Sequence, residues 1–114
     1  MPLSQNIQDR IESIEAKLRD ADISDATKAE LLSLLSALKS EVQELAKTRD
    51  EDARSIACFV DASAHEATRT EKKPELLNRA LSGLTESVQE LEASHPELVN
   101  TVNRFATILS NMGI

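Results

Sequence analysis

The sequence has no tryptophan or tyrosine, and only two phenylalanines, two glycines, three prolines and one cysteine among its 114 residues. A single cysteine cannot form a disulfide within the chain. Gly83 stands alone inside a helical pattern, so the glycine-rich loop that binds phosphate groups is missing. No apolar run approaches the roughly 20 residues that a membrane-spanning helix needs. These absences argue against a disulfide-stabilised secreted protein, a nucleotide-binding fold and a membrane protein.

Acidic residues outnumber basic ones by 20 to 13, which gives a net charge of −7. Because an acidic surface repels phosphate groups and anionic lipids, we expect no binding to nucleic acids or membranes. Residues 4–19 carry charges throughout, so we expect no secretion signal there. Together with the single cysteine, this composition predicts a cytoplasmic protein.

Apolar residues recur at spacings of three and four along five stretches of the chain. The clearest runs are Leu31, Leu35, Leu38, Val42 and Leu45, and then Leu77, Leu81, Leu84, Val88 and Leu91. This spacing places apolar side chains on one face of an α-helix, and it differs from the period of two that a strand requires. The sequence therefore predicts an all-α protein in which amphipathic helical hairpins form a bundle or a coiled-coil-like assembly.

We predict a single helical domain over residues 1–114 with about five helices. Their approximate ranges are 3–19, 25–47, 51–70, 74–93 and 96–111. The first two form an N-terminal hairpin (1–48), the third is an alanine-rich helix with its linker (49–73), and the last two form a C-terminal hairpin (74–114). Ser24 or Asp25 is expected to cap the second helix, and Pro74 to begin the fourth.

The boundary between the second and third helices contains no proline or glycine. The apolar stripe lapses between Leu45 and Ile56, which indicates either a turn near residues 48–50 or one continuous helix with an exposed middle. Thr48 and Glu51 have the spacing of a capping box, and this favours the turn. Before the last helix, Ser94 and Glu97 have the same spacing, and Pro96 disfavours a helical conformation at the residue before it.

The third helix differs from the others because its apolar face is mostly alanine. This alanine seam consists of Ala53, Ala57, Val60, Ala64 and Ala67, flanked by Ile56 and Phe59. Small side chains allow close approach of helices. The last helix, which contains Phe105, has an apolar face broad enough for two neighbours. Since these two helices offer more apolar surface than a short bundle readily covers, we expect homo-oligomers.

No motif indicates catalysis or ligand binding, so we expect no catalytic, cofactor-binding or metal-ligating residues and no enzyme activity. Cys58 is the strongest exception, since it shares the polar side of the third helix with Arg54, Asp61 and His65. Positive charge nearby would favour its thiolate, so the alternative hypothesis is a redox-responsive or thiol-dependent protein that uses Cys58 near His65. The simpler interpretation is an exposed Asp61–His65 pair, since zinc needs further ligands that are missing here.

Two segments near the C-terminus are distinctive. Residues 92–99 are Glu-Ala-Ser-His-Pro-Glu-Leu-Val, and residues 109–114 are Leu-Ser-Asn-Met-Gly-Ile. With its Ser-His-Pro corner and its Ser-Asn-Met-Gly-Ile tail, the chain resembles a family of small bacterial proteins catalogued as domain of unknown function 4404. The resemblance implies a helical bacterial protein and carries over no catalytic or binding residue. We therefore expect a non-enzymatic structural or interaction module that binds copies of itself, or a protein partner, through helix faces.

Overall fold

The structure, a computed structural model, describes the backbone of residues 3–112 and the side chains of residues 7–112. It contains five α-helices: α1 (Leu3–Asp20), α2 (Asp25–Ala46), α3 (Asp50–Thr68), α4 (Pro74–Val88) and α5 (Pro96–Met112). A single 3-10 turn, Gln89–Leu91, follows α4, and no strand occurs in the described residues. The prediction of an all-α protein is confirmed.

Helix α3 lies at the centre of the bundle, because it packs against each of the other four helices. Helix α1 packs on α2 and α3, whereas α5 packs on α2, α3 and α4. The buried apolar side chains of the five helices form one continuous core. The molecule measures 37 × 25 × 23 Å.

The predicted apolar stripes supply this core. On α1, Ile7, Ile11, Ile14 and Leu18 are all buried, while the side chain of Leu3 lies outside the described residues. Phe105 is fully buried on α5. The alanine seam of α3 is also buried, and it is buried by other helices of the same chain. Self-association is therefore not needed to cover the alanine seam.

Local chemistry explains two of the helix starts. The Ser24 hydroxyl accepts a hydrogen bond from the backbone N–H of Thr27 at 3.2 Å, so Ser24 caps α2. Helix α4 begins at Pro74, where the N–H that proline lacks would have no partner within the helix. Both starts are where the sequence predicts them.

The chain turns between α2 and α3, so these helices are separate. The predicted capping box at this turn is wrong, because the Thr48 hydroxyl instead donates to the carbonyl oxygen of Leu45 at 3.5 Å. The residue before α3 is Arg49, which makes no side-chain cap. Its backbone N–H donates to the Leu45 carbonyl oxygen at 2.8 Å, so hydrogen bonds to the end of α2 hold the turn.

The end of α4 is the largest departure from the predicted boundaries. The helix ends at Val88 instead of near residue 93, and the tighter 3-10 turn brings Leu91 into the core. The second predicted capping box is also wrong. The Ser94 hydroxyl lies 3.0 Å from Nδ1 of His95, and the first bond of α5 runs from the backbone N–H of Val99 to the His95 carbonyl oxygen.

We expect Ala57→Leu to lower the free energy of unfolding by about 1–3 kcal/mol, because three extra carbons must fit between closely packed helices. Ala64→Leu should have a similar effect, since Ala64 is also fully covered. The matched control is Ala62→Leu, at an exposed position of the same helix, with an expected change below about 0.5 kcal/mol. Urea unfolding followed by circular dichroism measures all three. A neutral Ala57→Leu would show that the alanine seam is loosely packed.

Candidate functional site

A cleft of about 570 Å³ lies between α1 and α3 and contains three of the four residues that the sequence singles out on the polar side of α3, all except His65. Arg54, Cys58 and Asp61 line it from α3, and Arg10 and Ser13 line it from α1. The Cys58 thiol is free and exposed, on the polar side of α3 as the sequence predicts. We call this the α1–α3 cleft.

Asp61 joins α3 to α1 by two ion pairs across this cleft. Its Oδ2 lies 3.1 Å from Nη1 of Arg10, and its Oδ1 lies 3.0 Å from Nζ of Lys17. The predicted pairing of Asp61 with His65 is therefore wrong, because both carboxylate oxygens bind cations of α1. The only sequence signal for this contact is the spacing of Arg10 and Lys17, which places them two turns apart on one side of α1.

The geometry keeps Cys58 and His65 apart. Seven residues separate them along α3, which corresponds to about 10 Å along the helix axis. Arg54, one turn before the thiol, has its Nε 3.2 Å from Oδ2 of Asp50, so its charge is already paired. Within the described part of the chain, no group of three or more His, Cys, Asp or Glu side chains is arranged to hold a metal ion. The cleft thus presents an accessible thiol without a neighbouring imidazole.

A second surface runs along α3 and α4 on the other side of α3, and sequence reasoning missed it. Among the described residues, Phe59 and Leu76 are the most exposed large apolar residues, at 36% and 38%. The Phe59 ring lies directly on Gly83, since a Cβ there would come within 2.3 Å of its Cε1. Leu76 precedes Gly83 by two helical turns and so lies on the same side of α4.

A groove of about 320 Å³ surrounds the Phe59 ring. It is lined by Asp52, Ser55, Phe59, Gly83, Glu86, Ser87, Glu90 and Leu91. We call this groove, together with Leu76 and the exposed residues Lys73 and Arg79 of the same stretch of chain, the α3–α4 face.

Charge is distributed unevenly along the α3–α4 face. Glu86 lies near the end of α4 and Glu90 in the 3-10 turn that follows it, whereas Lys73 and Arg79 lie at or near the start of α4. Within residues 7–112, none of these four side chains forms an ion pair. Asp52, in contrast, has its Oδ2 3.0 Å from Nε of Arg49. One end of the face therefore carries two acidic side chains, whereas the other carries Lys73 and Arg79 together with the exposed carboxylate of Glu75, and the unpaired charges at both ends are available to a partner.

Glu41 is a half-buried carboxyl group between α2 and α5. Its Oε1 is buried without a hydrogen-bond partner, because the hydroxyl of Thr101 donates to the carbonyl oxygen of Glu97 at 2.9 Å. Burial raises the pKa of Glu41 above its ordinary value, and the nearby Glu97 carboxylate adds to this shift. Ionisation of Glu41 is therefore less favourable in the folded chain than in the unfolded chain.

These features define a five-helix bundle whose described helices include none that is long and apolar enough to cross a membrane. A family model described as a domain of unknown function (DUF4404) matches residues 31–114, and the chain belongs to this family. The match begins within α2, so α1 precedes it. The resemblance seen in the sequence is confirmed. No curated protein and no solved structure matches the chain.

Glu41→Gln is expected to stabilise the fold at pH 7, by no more than about 1 kcal/mol because solvent still screens the half-buried carboxylate. A raised pKa in the folded state means that ionisation opposes folding, so the gain should appear as the pH rises through that pKa. Below about pH 4, where the carboxyl is protonated in both states, the gain should vanish. Thermal melts from pH 3 to 7 test this, with Glu12→Gln as the exposed control. Equal changes in melting temperature for both variants would show that the effect comes from net charge and not from the burial of Glu41.

A double-mutant cycle tests the contact between Phe59 and Gly83. Gly83→Ala should stabilise the Phe59→Ala variant by about 1 kcal/mol, because alanine favours a helix over glycine. In the native chain, the same substitution must displace the Phe59 ring, so its gain should be clearly smaller or reversed. Urea unfolding of the four chains gives the coupling energy. A coupling of zero would show that the ring does not rest on Gly83.

Proposed function

We propose that this protein is a non-enzymatic structural or interaction module that self-associates, and that the α3–α4 face is the surface it uses. The observation that carries the proposal is Phe59, one of two aromatic residues in the chain, whose side chain is 36% exposed. Aromatic side chains on a surface with a charged rim are typical of the residues that dominate protein–protein binding. Leu76 extends the same apolar surface along α4.

The reason for self-association differs from the one that the sequence offers. The alanine seam of α3 and the side chain of Phe105 on α5 are covered within the chain, so neither is available to a partner. Phe59 flanks that seam in the sequence, but its ring points past the seam onto Gly83 of α4. The proposal therefore rests on the edge of the α3 apolar stripe and not on its centre.

Composition supports a protein partner over other classes of partner. A net charge of −7 disfavours binding to nucleic acids and to anionic membrane surfaces. A chain with one cysteine is compatible with the reducing cytoplasm, which we propose as its location.

A redox-responsive or thiol-dependent function remains the second candidate, and the exposure of Cys58 in the α1–α3 cleft supports it. It ranks second because His65 lies two turns away and the charge of Arg54 is paired with Asp50. One variant distinguishes the two candidate functions. Cys58→Ser should leave the oligomeric state unchanged if the module acts through the α3–α4 face.

Light scattering behind a sizing column tests the first proposal over a wide concentration range. We expect the native chain to gain mass at sub-millimolar concentration, and Phe59→Ser or Leu76→Ser to shift that gain to higher concentration. Ile108→Thr is the matched control, because Ile108 is a partly exposed apolar residue of α5 outside the α3–α4 face. Circular dichroism verifies that each variant is folded. A native chain that stays monomeric up to about 1 mM would overturn the proposal.

A further inference from the structure

Resting on that proposed function, we infer that the α3–α4 face binds a second copy of this chain. The two copies pack face to face and antiparallel. The two-fold axis runs across helices α3 and α4, close to Phe59 and Gly83. Most soluble homo-oligomers are closed by a two-fold axis of this kind, in which one patch binds the same patch on the partner.

Charge selects between the two ways in which such a face can pack on itself. An axis parallel to the helices would place the Glu86 and Glu90 ends of both copies together, with like charges opposed. An axis across the helices places the acidic end of each copy on the basic end of the other, where Lys73 and Arg79 lie. Opposite charges across an interface fix its register, and like charges oppose it. The second arrangement is therefore the one that these residues favour.

The positions of these four charged residues also indicate where the two-fold axis crosses α4. In an antiparallel pair of helices, residues equally distant from the crossing point face each other. The midpoint between Arg79 and Glu86 falls at residues 82–83, and Lys73 before the start of α4 and Glu90 in the 3-10 turn after it lie at comparable distances on either side of that point. One axis position, beside Gly83, therefore brings both pairs together, and the symmetry forms each pair twice.

The centre of this interface is apolar. An axis beside Gly83 also passes Phe59, so the two Phe59 rings meet across it, in the offset or edge-to-face geometry that aromatic pairs prefer. The charges of α3 do not oppose this contact, because Asp52 is paired with Arg49 and Glu66 with Arg69, at 3.0 and 2.8 Å. The interface thus has an apolar centre and complementary charges at both ends.

The size of the face predicts a weak dimer. Helix α4 has 15 residues and is therefore about 22 Å long. Two neighbouring helices are roughly 20 Å wide, so each copy buries on the order of 450 Å², compared with about 800 Å² per partner in a standard interface. A dissociation constant between about 0.1 and 1 mM is consistent with an interface at this low end.

A charge-swap experiment with the full chain tests the arrangement. The acidic-end variant carries Glu86→Lys and Glu90→Lys, and the basic-end variant carries Lys73→Glu and Arg79→Glu. Sedimentation equilibrium should show at least tenfold weaker self-association for each variant alone, because like charges then face each other. An equimolar mixture should recover native affinity within about threefold, because opposite charges face each other again. Glu12→Lys with Glu30→Lys, at exposed positions on α1 and α2, makes the same change in net charge away from the face.

Each outcome has a separate meaning. If the native chain dimerises but the variants dimerise equally well, the proposed arrangement is wrong and the proposed function stands. If both variants lose self-association but their mixture does not recover it, the antiparallel pairing is wrong. If the control variant loses affinity as strongly as the acidic-end variant, net charge is the cause and the face is not involved. A native chain that remains monomeric overturns the proposed function as well.

Discussion

The structure depends on how closely four helices can approach α3. The buried face of α3 consists largely of alanine, and small side chains allow neighbouring helices to pack through backbone and Cβ atoms. The bulk of the core must then come from the neighbours, and fully buried residues such as Ile14, Leu35 and Phe105 supply it. Because protein interiors are close-packed, the small side chains of α3 and the large side chains of the surrounding helices must together fill the core.

Periodicity and local chemistry make much of this fold predictable from the sequence. The apolar stripes define five helices, Ser24 caps one of them, and Pro74 begins another, because these effects act within a few residues. The capping of α3 could not be predicted, since the Thr48 hydroxyl had a competing acceptor in the Leu45 carbonyl oxygen of the preceding helix. The end of α4 could not be predicted either, because the apolar spacing that leads to Leu91 fits an α-helix and a 3-10 turn alike.

The candidate surfaces were less predictable, because they depend on contacts between residues that are distant in the sequence. Asp61 pairs with Arg10 across 51 positions, and the two-turn spacing of Arg10 and Lys17 does not identify Asp61 as their partner. Phe59 belongs to the apolar side of α3 by spacing, yet its exposure follows from where Gly83 lies on a different helix. Ser63 is fully buried although it is polar, and its hydroxyl has no hydrogen-bond partner. Burial of this kind is determined by the packed structure and not by any local pattern.

The thiol of Cys58 makes this protein convenient for spectroscopy. It is the one cysteine of the chain, it is exposed, and it lies beside the ion pairs through which Asp61 holds α1. The intrinsic fluorescence of the protein would interfere little with a fluorophore attached there, because the chain contains no tryptophan or tyrosine. Its emission would respond to water entering the α1–α3 cleft, so the release of α1 from the bundle could be followed separately from global unfolding.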